Sequence, residues 1–245
     1  MKIAHIIGYV IALIVMTGVV DKKDEKGFVV LELFTSEGCS SCPPADELLA
    51  KIQNESKGKP VYALAYHVDY WDRLGWKDLY SNAQFSRRQM QYENWLHLSS
   101  LYTPQLVING KTAFVGSDES AIRKTISGQL AANQSASLVL QVQQNGDKLE
   151  IKYQALKASK NSFLLIAILQ KKAESKVERG ENAGRTLSHV QIVRKLQTEP
   201  VNPSGSGVST VVLPKDLNGQ NWEIVGLTQD ENNGEILSAG KFNPK

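Results

Sequence analysis

The chain contains two cysteines, Cys39 and Cys42, and only Ser40 and Ser41 lie between them. A disulfide that closes so small a ring removes little entropy from the unfolded chain, so stabilisation alone is a weak reason for the pair. Reversible exchange is a better reason, because one thiolate attacks a partner disulfide and the second thiol resolves the mixed disulfide. The spacing therefore predicts dithiol chemistry that needs no cofactor besides the Cys39–Cys42 disulfide itself.

The elements around the cysteines are predicted to place them at the start of a helix. An apolar, β-rich segment at residues 28–34 precedes them, and Pro43-Pro44 opens a segment with apolar residues at helical spacing. Cys39 then lies just before the first helical turn, where free N–H groups and the helix dipole stabilise a thiolate. We expect a buried strand, a cysteine loop and a helix in that order.

The pattern along the rest of the chain predicts two domains. In residues 27–132, a second buried strand, a helical insert, a hairpin turning at Asn109-Gly110 and a closing helix predict an α/β domain. Residues 137–245 alternate short strands with turn signals, which is typical of a mostly antiparallel, β-sandwich-like domain. A long charged loop at 174–186 interrupts these strands.

Residues 1–26 predict export. Lys2 precedes an apolar run at 6–20, and a charged cluster follows at once. This arrangement is typical of an export signal, with an uncleaved membrane anchor through residues 3–20 as the alternative. We expect an exported protein, either periplasmic or anchored in the membrane and facing the periplasm. The net charge of +3, with acidic and basic residues interleaved, excludes a nucleic-acid partner.

Several blocks of the sequence resemble one protein family. They are residues 34–44, 67–72, 74–78 and 102–105, together with residues 179–185 and His189 in the second half. They are similar to an uncharacterised secreted thioredoxin-like family, filed as the domain of unknown function numbered twelve twenty-three. The resemblance implies a thioredoxin-like fold for residues 27–132, followed by the β-sandwich-like domain, and an exported location. It implies no particular substrate.

The resemblance to the thioredoxin superfamily also implies roles for single residues. Cys39 corresponds to the exposed nucleophile and Cys42 to the buried resolving thiol. Pro104 matches the cis-proline, which lies beside the cysteines and helps to dock the partner chain. Glu32 is similar in placement to the buried acid that serves the resolving cysteine, provided that the following loop is one residue longer here.

Other residues near these blocks have two interpretations each. The aromatic residues Trp71 and Tyr102 either pack the insert or form, with Thr103, a rim that receives an extended peptide. Arg179 and Arg185, with His189, either reach over the cysteines or carry ordinary surface charge.

Three functions remain open from the sequence. The first is an exported thiol–disulfide oxidoreductase that acts on a thiol- or disulfide-bearing protein or on a small thiol. The second is a Cu(I)-binding module with Cys39, Cys42 and His67 as ligands, since thiolates and imidazole suit Cu(I). The third is a binding protein whose disulfide is inert. We favour the first, because the two-residue spacing and the helix start suit exchange and no fourth metal ligand is evident.

Overall fold

The computed structural model describes residues 27–132, 137–156 and 161–244. The predicted export signal or anchor, residues 1–26 with the apolar segment 3–20, lies outside the described residues. No helix in the three described ranges is both long and apolar enough to cross a membrane.

The described residues form eleven strands, three α-helices and one turn of 3₁₀-helix. In chain order these are β1 Val29–Thr35, α1 Pro43–Glu55, β2 Val61–His67, the 3₁₀ turn Asp72–Leu74, α2 Ala83–Trp95, β3 Gln105–Ile108, β4 Thr112–Val115, α3 Glu119–Ala131, β5 Leu138–Asn145, β6 Lys148–Ala155, β7 Ser162–Lys176, β8 Thr186–Pro200, β9 Ser206–Val212, β10 Trp222–Asp230 and β11 Ile236–Phe242.

Eight of these strands form one mixed sheet, in the order β11-β10-β7-β8-β2-β1-β3-β4. β1 and β2 are parallel neighbours connected through α1, and Thr35 lies opposite His67 at their carboxyl ends. β3 runs antiparallel to β1, and β8 joins beside β2, where Ala65 lies opposite Ile192. The remaining strands form a second sheet in the order β5-β6-β9.

The side chains of β1 alternate between two cores. Val29, Leu31 and Leu33 pack with α1 and α3, whereas Val30 and Phe34 pack with α2 and with strands from the second half of the chain. All seven residues of β1 are buried, as expected of a strand covered on both faces of its sheet. The alternation decides which site residues can meet α1, because side chains of β1 two residues apart share a face.

The predicted fold class, a thioredoxin-like α/β domain followed by a β-sandwich-like domain, is wrong. The described chain is mostly β, and β7, β8, β10 and β11 continue the sheet that contains β1 and β2. An apolar pattern shows which face of a strand is buried but not which strand lies beside it, so the β2–β8 contact leaves no signal in the sequence. The domain boundaries 27–132 and 137–245 stay a prediction.

The loop between β7 and β8 is shorter than the predicted loop at 174–186. β7 and β8 have fifteen residues each and pair as far as Lys176 opposite Thr186, so the loop between them is shorter, residues 177–185. Charged residues alternate along the end of β7, at Lys172, Glu174 and Lys176, which made this strand end resemble an exposed loop. The extended hairpin carries residues 177–185 to the cysteines.

Candidate functional site

The cysteines lie in the loop between β1 and α1, at the carboxyl end of the parallel pair. Cys39 and Cys42 form a disulfide with a Cα–Cα distance of 5.4 Å. Cys42 is the N-cap residue of α1, and its carbonyl accepts hydrogen bonds from the N–H groups of Ala45 and Asp46. The helix starts at Pro43. Proline has no N–H, but the N–H groups of the first turn have no partner within the helix, so proline costs nothing at this position.

Both cysteines are fully buried, whereas Ser40 and Ser41 between them are exposed. The burial of Cys42 agrees with the resemblance, but the implied exposure of Cys39 is wrong. The cause is a segment from the other half of the chain that lies against the cysteine loop.

The covering segment is the β7–β8 loop, residues 177–185, which we call the hairpin loop. The side-chain amide of Asn182 is buried and donates to the carbonyls of Glu37 and Cys39, both at 2.9 Å. Glu181 Oε2 accepts from the N–H of Ser40 at 3.0 Å, and hydrogen bonds from Ser40 lower the pKa of Glu181. The hairpin loop therefore holds the backbone of the cysteine loop on both sides of Cys39.

Two of the predicted loop residues have different positions from those expected. Arg185 donates to Asn182 Oδ1 at 2.8 Å, which orients the amide that bonds to the cysteine loop. His189 lies on β8, beneath the cysteine loop, and is buried. Arg179 is exposed in the hairpin loop.

The predicted partner-docking residues lie beside the cysteine loop. The Thr103–Pro104 peptide bond is cis, as the resemblance implied, and Ser41 Oγ donates to the carbonyl of Thr103 at 3.4 Å. Trp71 Nε1 donates to Thr103 Oγ1 at 2.8 Å, and the carbonyl of Tyr102 accepts from Gln89. Trp71 and Thr103 therefore lie together next to Ser41, and Trp71, Tyr102 and Thr103 are all half-buried.

Glu32, the predicted acid partner of Cys42, lies on the opposite face of the sheet. Its carboxylate is buried and bonds to Arg88 on α2 at 2.6 Å and to the hydroxyl of Tyr92. Residue 32 shares a face of β1 with Val30 and Phe34, which face α2, whereas the cysteine helix α1 covers the other face. The structure therefore places Glu32 away from the helix that carries Cys42, and its role at the cysteines stays a prediction.

Asp46 is the buried acid on the cysteine side. It lies on α1 one turn after Cys42 and accepts from Thr35 Oγ1 at 3.1 Å. Burial raises the pKa of Asp46 to about 6, although His67 and His189 partly offset that rise. The sequence contained the signal, because an acid four residues after Cys42 shares its side of a helix.

Two carboxylate–histidine pairs lie below the cysteine loop. His67 Nδ1 is 2.7 Å from Asp78 Oδ2, and His189 Nε2 is 3.5 Å from Glu37 Oε1. The two imidazole rings meet edge to face, with their centroids 4.9 Å apart. Glu37 links the cluster to the cysteine loop, because its N–H donates to Asp78 Oδ2 at 2.8 Å.

The pairing of each carboxylate with a histidine shifts the pKa values of Glu37, Asp78 and His67. Burial favours neutral carboxyls, yet hydrogen bonds from His189, Ser175 and Trp76 hold the pKa of Glu37 below its usual value. Burial likewise raises the pKa of Asp78, but the charge and hydrogen bond of His67 outweigh it and lower that pKa. For His67, burial lowers the pKa and Asp78 raises it, and the net shift is upward.

The proposed Cu(I) ligands Cys39, Cys42 and His67 do not form a metal site. Among the described residues, no group of three or more His, Cys, Asp or Glu side chains is arranged to hold a metal ion. His67 is instead held by Asp78, and the two sulfurs are bonded to each other.

A comparison with family models decides the family of the chain. The model described as a protein of unknown function (DUF1223) matches residues 30–229. The chain belongs to the DUF1223 family. Membership of the family numbered twelve twenty-three, which residues 34–44 and the other blocks predicted, is thus confirmed, while the family description names no thioredoxin-like fold, no activity and no exported location.

A relative of similar fold is found among the solved structures. A protein of Agrobacterium tumefaciens is 28% identical, with 87% of this chain and 93% of that chain covered and a TM-score of 0.65. A DUF3823 family protein from Bacteroides ovatus is 12% identical, with 44% of this chain and 55% of that chain covered. Its TM-score of 0.30 is too low to bear on the fold. No curated protein matches this DUF1223 chain.

Proposed function

We propose that this protein carries out thiol–disulfide exchange through Cys39 and Cys42, outside the cytoplasm, with a protein thiol or disulfide or a small thiol as partner. The observation that carries the proposal is the Cys39–Cys42 disulfide at the start of α1, with the buried carboxyl of Asp46 one helical turn away. Such a carboxyl titrates near neutral pH and can give or take the proton of the resolving thiol.

The exchange proceeds in two steps from the disulfide form. A partner thiolate attacks Cys39 Sγ, the Cys39–Cys42 bond breaks, and Cys42 leaves with the electron pair and takes the proton of Asp46. A second partner thiolate attacks the partner sulfur of the mixed disulfide, which forms the partner disulfide and releases Cys39 as a thiolate. Two electrons pass from the partner to the chain, and the reverse order reduces a partner disulfide.

The two predicted cysteine roles follow from surroundings rather than exposure. Cys42 lies one helical turn before Asp46 on the same side of α1, so it is the better leaving group. Cys39 adjoins the exposed serines and the carbonyl of Thr103, where an extended partner segment can reach it once the hairpin loop moves.

The reduction potential of the Cys39–Cys42 pair tests the proposal. A soluble protein from Gly27 onward is equilibrated in graded glutathione buffers, and its thiols are counted by alkylation. We expect a reversible two-electron transition within the glutathione range. A disulfide that stays intact at every ratio, with the protein folded, would show that the bond is structural.

Exchange also requires the hairpin loop to uncover the sulfurs, and Asn182→Ala tests this step. The change removes two hydrogen bonds to the cysteine loop, together worth about 2 kcal/mol, so the open form becomes roughly thirtyfold more populated. Reduction of the disulfide by dithiothreitol should accelerate by a similar factor.

The matched control for that prediction is Glu178→Ala, which changes an exposed residue of the same hairpin loop. It should leave the rate of reduction unchanged. Equal rates for Asn182→Ala and the unmodified protein would mean that the hairpin loop does not limit access.

A further inference from the structure

A cavity of about 310 Å³ lies between α2 and the large sheet. Its lining residues come from one side of α2 and from the neighbouring strands β7, β8 and β10. This is the face of the sheet that packs with α2, whereas the cysteine helix α1 covers the other face. Ligand cavities in proteins have volumes from about 300 Å³ upward, so the space is large enough for a small molecule.

Hydrogen bonds to the second half of the chain hold both ends of α2 beside the cavity. In the first turn of α2, Gln84 Nε2 donates to the carbonyl of Leu196 at 3.0 Å. In the last turn, Trp95 Nε1 donates to the carbonyl of Glu231 at 3.1 Å. Phe85 anchors the helix in the core on a neighbouring side. The cavity is therefore formed without a ligand, which reduces the cost of ordering on binding.

The interior of the cavity is apolar. Leu165 and Leu196 are buried in its inner part, and the rings of Phe163 and Trp95 are half-buried nearer the surface. Side chains that line an unfilled space lose dispersion contacts on that side. The apolar part of a ligand would restore these contacts and leave water at the same time.

The charge on the lining residues is positive. Arg87 and Arg88 both line the cavity, and none of its described lining residues is acidic. Arg88 is buried and paired with Glu32, so its charge is already neutralised. Arg87 is exposed and has no hydrogen bond or ion pair with any residue that the structure describes. Its guanidinium can therefore bind a carboxylate through two parallel hydrogen bonds.

The distance between the charge and the aromatic walls suits an elongated ligand. Arg87 and Trp95 are eight residues apart on α2, which corresponds to about 12 Å along the helix axis. Gln91 lies between them on the same side of the helix. A carboxylate held by Arg87 would place an attached chain along Gln91 and towards Trp95.

We propose that this cavity binds a small organic anion with one carboxylate and an elongated apolar chain. Arg87 binds the carboxylate, and the chain lies against Trp95, Phe163 and the two buried leucines. The site is separate from thiol–disulfide exchange, because its lining residues include neither the cysteines nor any residue of the hairpin loop. Binding makes and breaks no covalent bond.

Isothermal titration calorimetry with straight-chain carboxylates tests the proposal. The protein is purified from cells that express the full chain, and hexanoate, octanoate and neutral 1-octanol are the probes. Octanoate should bind about fifteenfold more tightly than hexanoate, because two more methylene groups are buried. 1-Octanol should bind about tenfold or more weakly than octanoate, because it has no charge to pair with Arg87.

Four variants locate the binding site. Arg87→Ala should weaken octanoate binding about tenfold and leave the affinity for 1-octanol unchanged. Thr198→Trp on β8 and Gln91→Trp on α2 change exposed lining residues, and each should block the cavity for both probes. Arg73→Ala is the matched control, since it removes an exposed arginine outside the cavity, and it should bind octanoate as the unmodified protein does.

Three results would overturn the proposal. The first is folded protein that binds no octanoate at millimolar concentration. The second is octanoate binding that persists unchanged in Arg87→Ala and in both tryptophan variants, which would place the ligand elsewhere. The third is equal affinity for octanoate and 1-octanol, which would exclude an anion site. The exchange function has its own test in the reduction of the disulfide, so it stands or fails separately.

Discussion

Replacing Cys42 with serine is expected to stop exchange after one attack and to hold the partner on Cys39 as a stable mixed disulfide. In the unmodified protein, Cys42 lies next to Cys39 and expels the partner within the active site. Serine has a similar size but no thiolate. The Cys39 thiolate can still attack a partner disulfide, but residue 42 can no longer displace the partner from Cys39. Turnover should fall by several orders of magnitude, because thiolate chemistry at the remaining sulfur ends at the mixed disulfide.

The measurement is capture of the partner under conditions that block free thiols. The Cys42→Ser protein is produced with its full N-terminal segment, and non-reducing gels with mass spectrometry identify the species attached to Cys39. The loss of Cys42 also frees the Cys39 sulfur from the intramolecular bond. The hairpin loop still covers it through Asn182, so capture should increase when Asn182→Ala is added.

Two variants control the capture experiment. Cys39→Ser leaves the buried Cys42, which should form no lasting adduct, and the double serine variant should form none at all. Adducts that are equally frequent on either single cysteine would show random oxidation. If no protein or small thiol is ever held on Cys39, the chain does not act by exchange, and an inert disulfide becomes the better interpretation.

The local arrangement of the cysteines could be predicted from the sequence. The apolar run before the cysteines and the prolines after them indicate a strand, a loop and a helix, and the structure has β1 ending at Thr35 and α1 starting at Pro43. Asn109 and Gly110 indicate the turn between β3 and β4, and both have positive φ. These signals depend on residues near one another in sequence.

The rest of the site depends on contacts that no local pattern contains. Asn182 reaches Cys39 across 143 residues, and Ser175 reaches Glu37 across 138 residues. The position of Glu32 could not be predicted for a related reason. The position of Glu32 in β1 shows that it shares a face of the sheet with Val30 and Phe34. It does not show that α2, rather than the cysteine helix α1, covers that face.

The structural role of Glu32 leads to the second large expected effect. Glu32→Ala should lower the free energy of unfolding by about 3–5 kcal/mol, because it leaves Arg88 charged in the core without its carboxylate. The other groups around Arg88 do not replace the negative charge of Glu32. Its remaining acceptor contacts are neutral, from Gln229 and Tyr92, and its guanidinium lies 5.1 Å from the ring of Tyr92.

Urea unfolding measures this loss, with the midpoint compared at an unchanged m-value. Glu32→Ala combined with Arg88→Met removes both charges and should recover much of the stability, since no uncompensated ion is left behind. Glu119→Ala is the matched control, because Glu119 also pairs with cations but is exposed, so water screens the loss. It should change the midpoint far less.

The same variants decide between a structural and a catalytic Glu32. If Glu32 only neutralises Arg88, folded Glu32→Ala combined with Arg88→Met retains the reduction potential of the disulfide and its rate of reduction at each pH. If instead Glu32 serves Cys42, the pH profile of reduction changes in that double variant. Because Glu32 contacts α2 and Asp46 lies one turn from Cys42 on α1, we expect the first result.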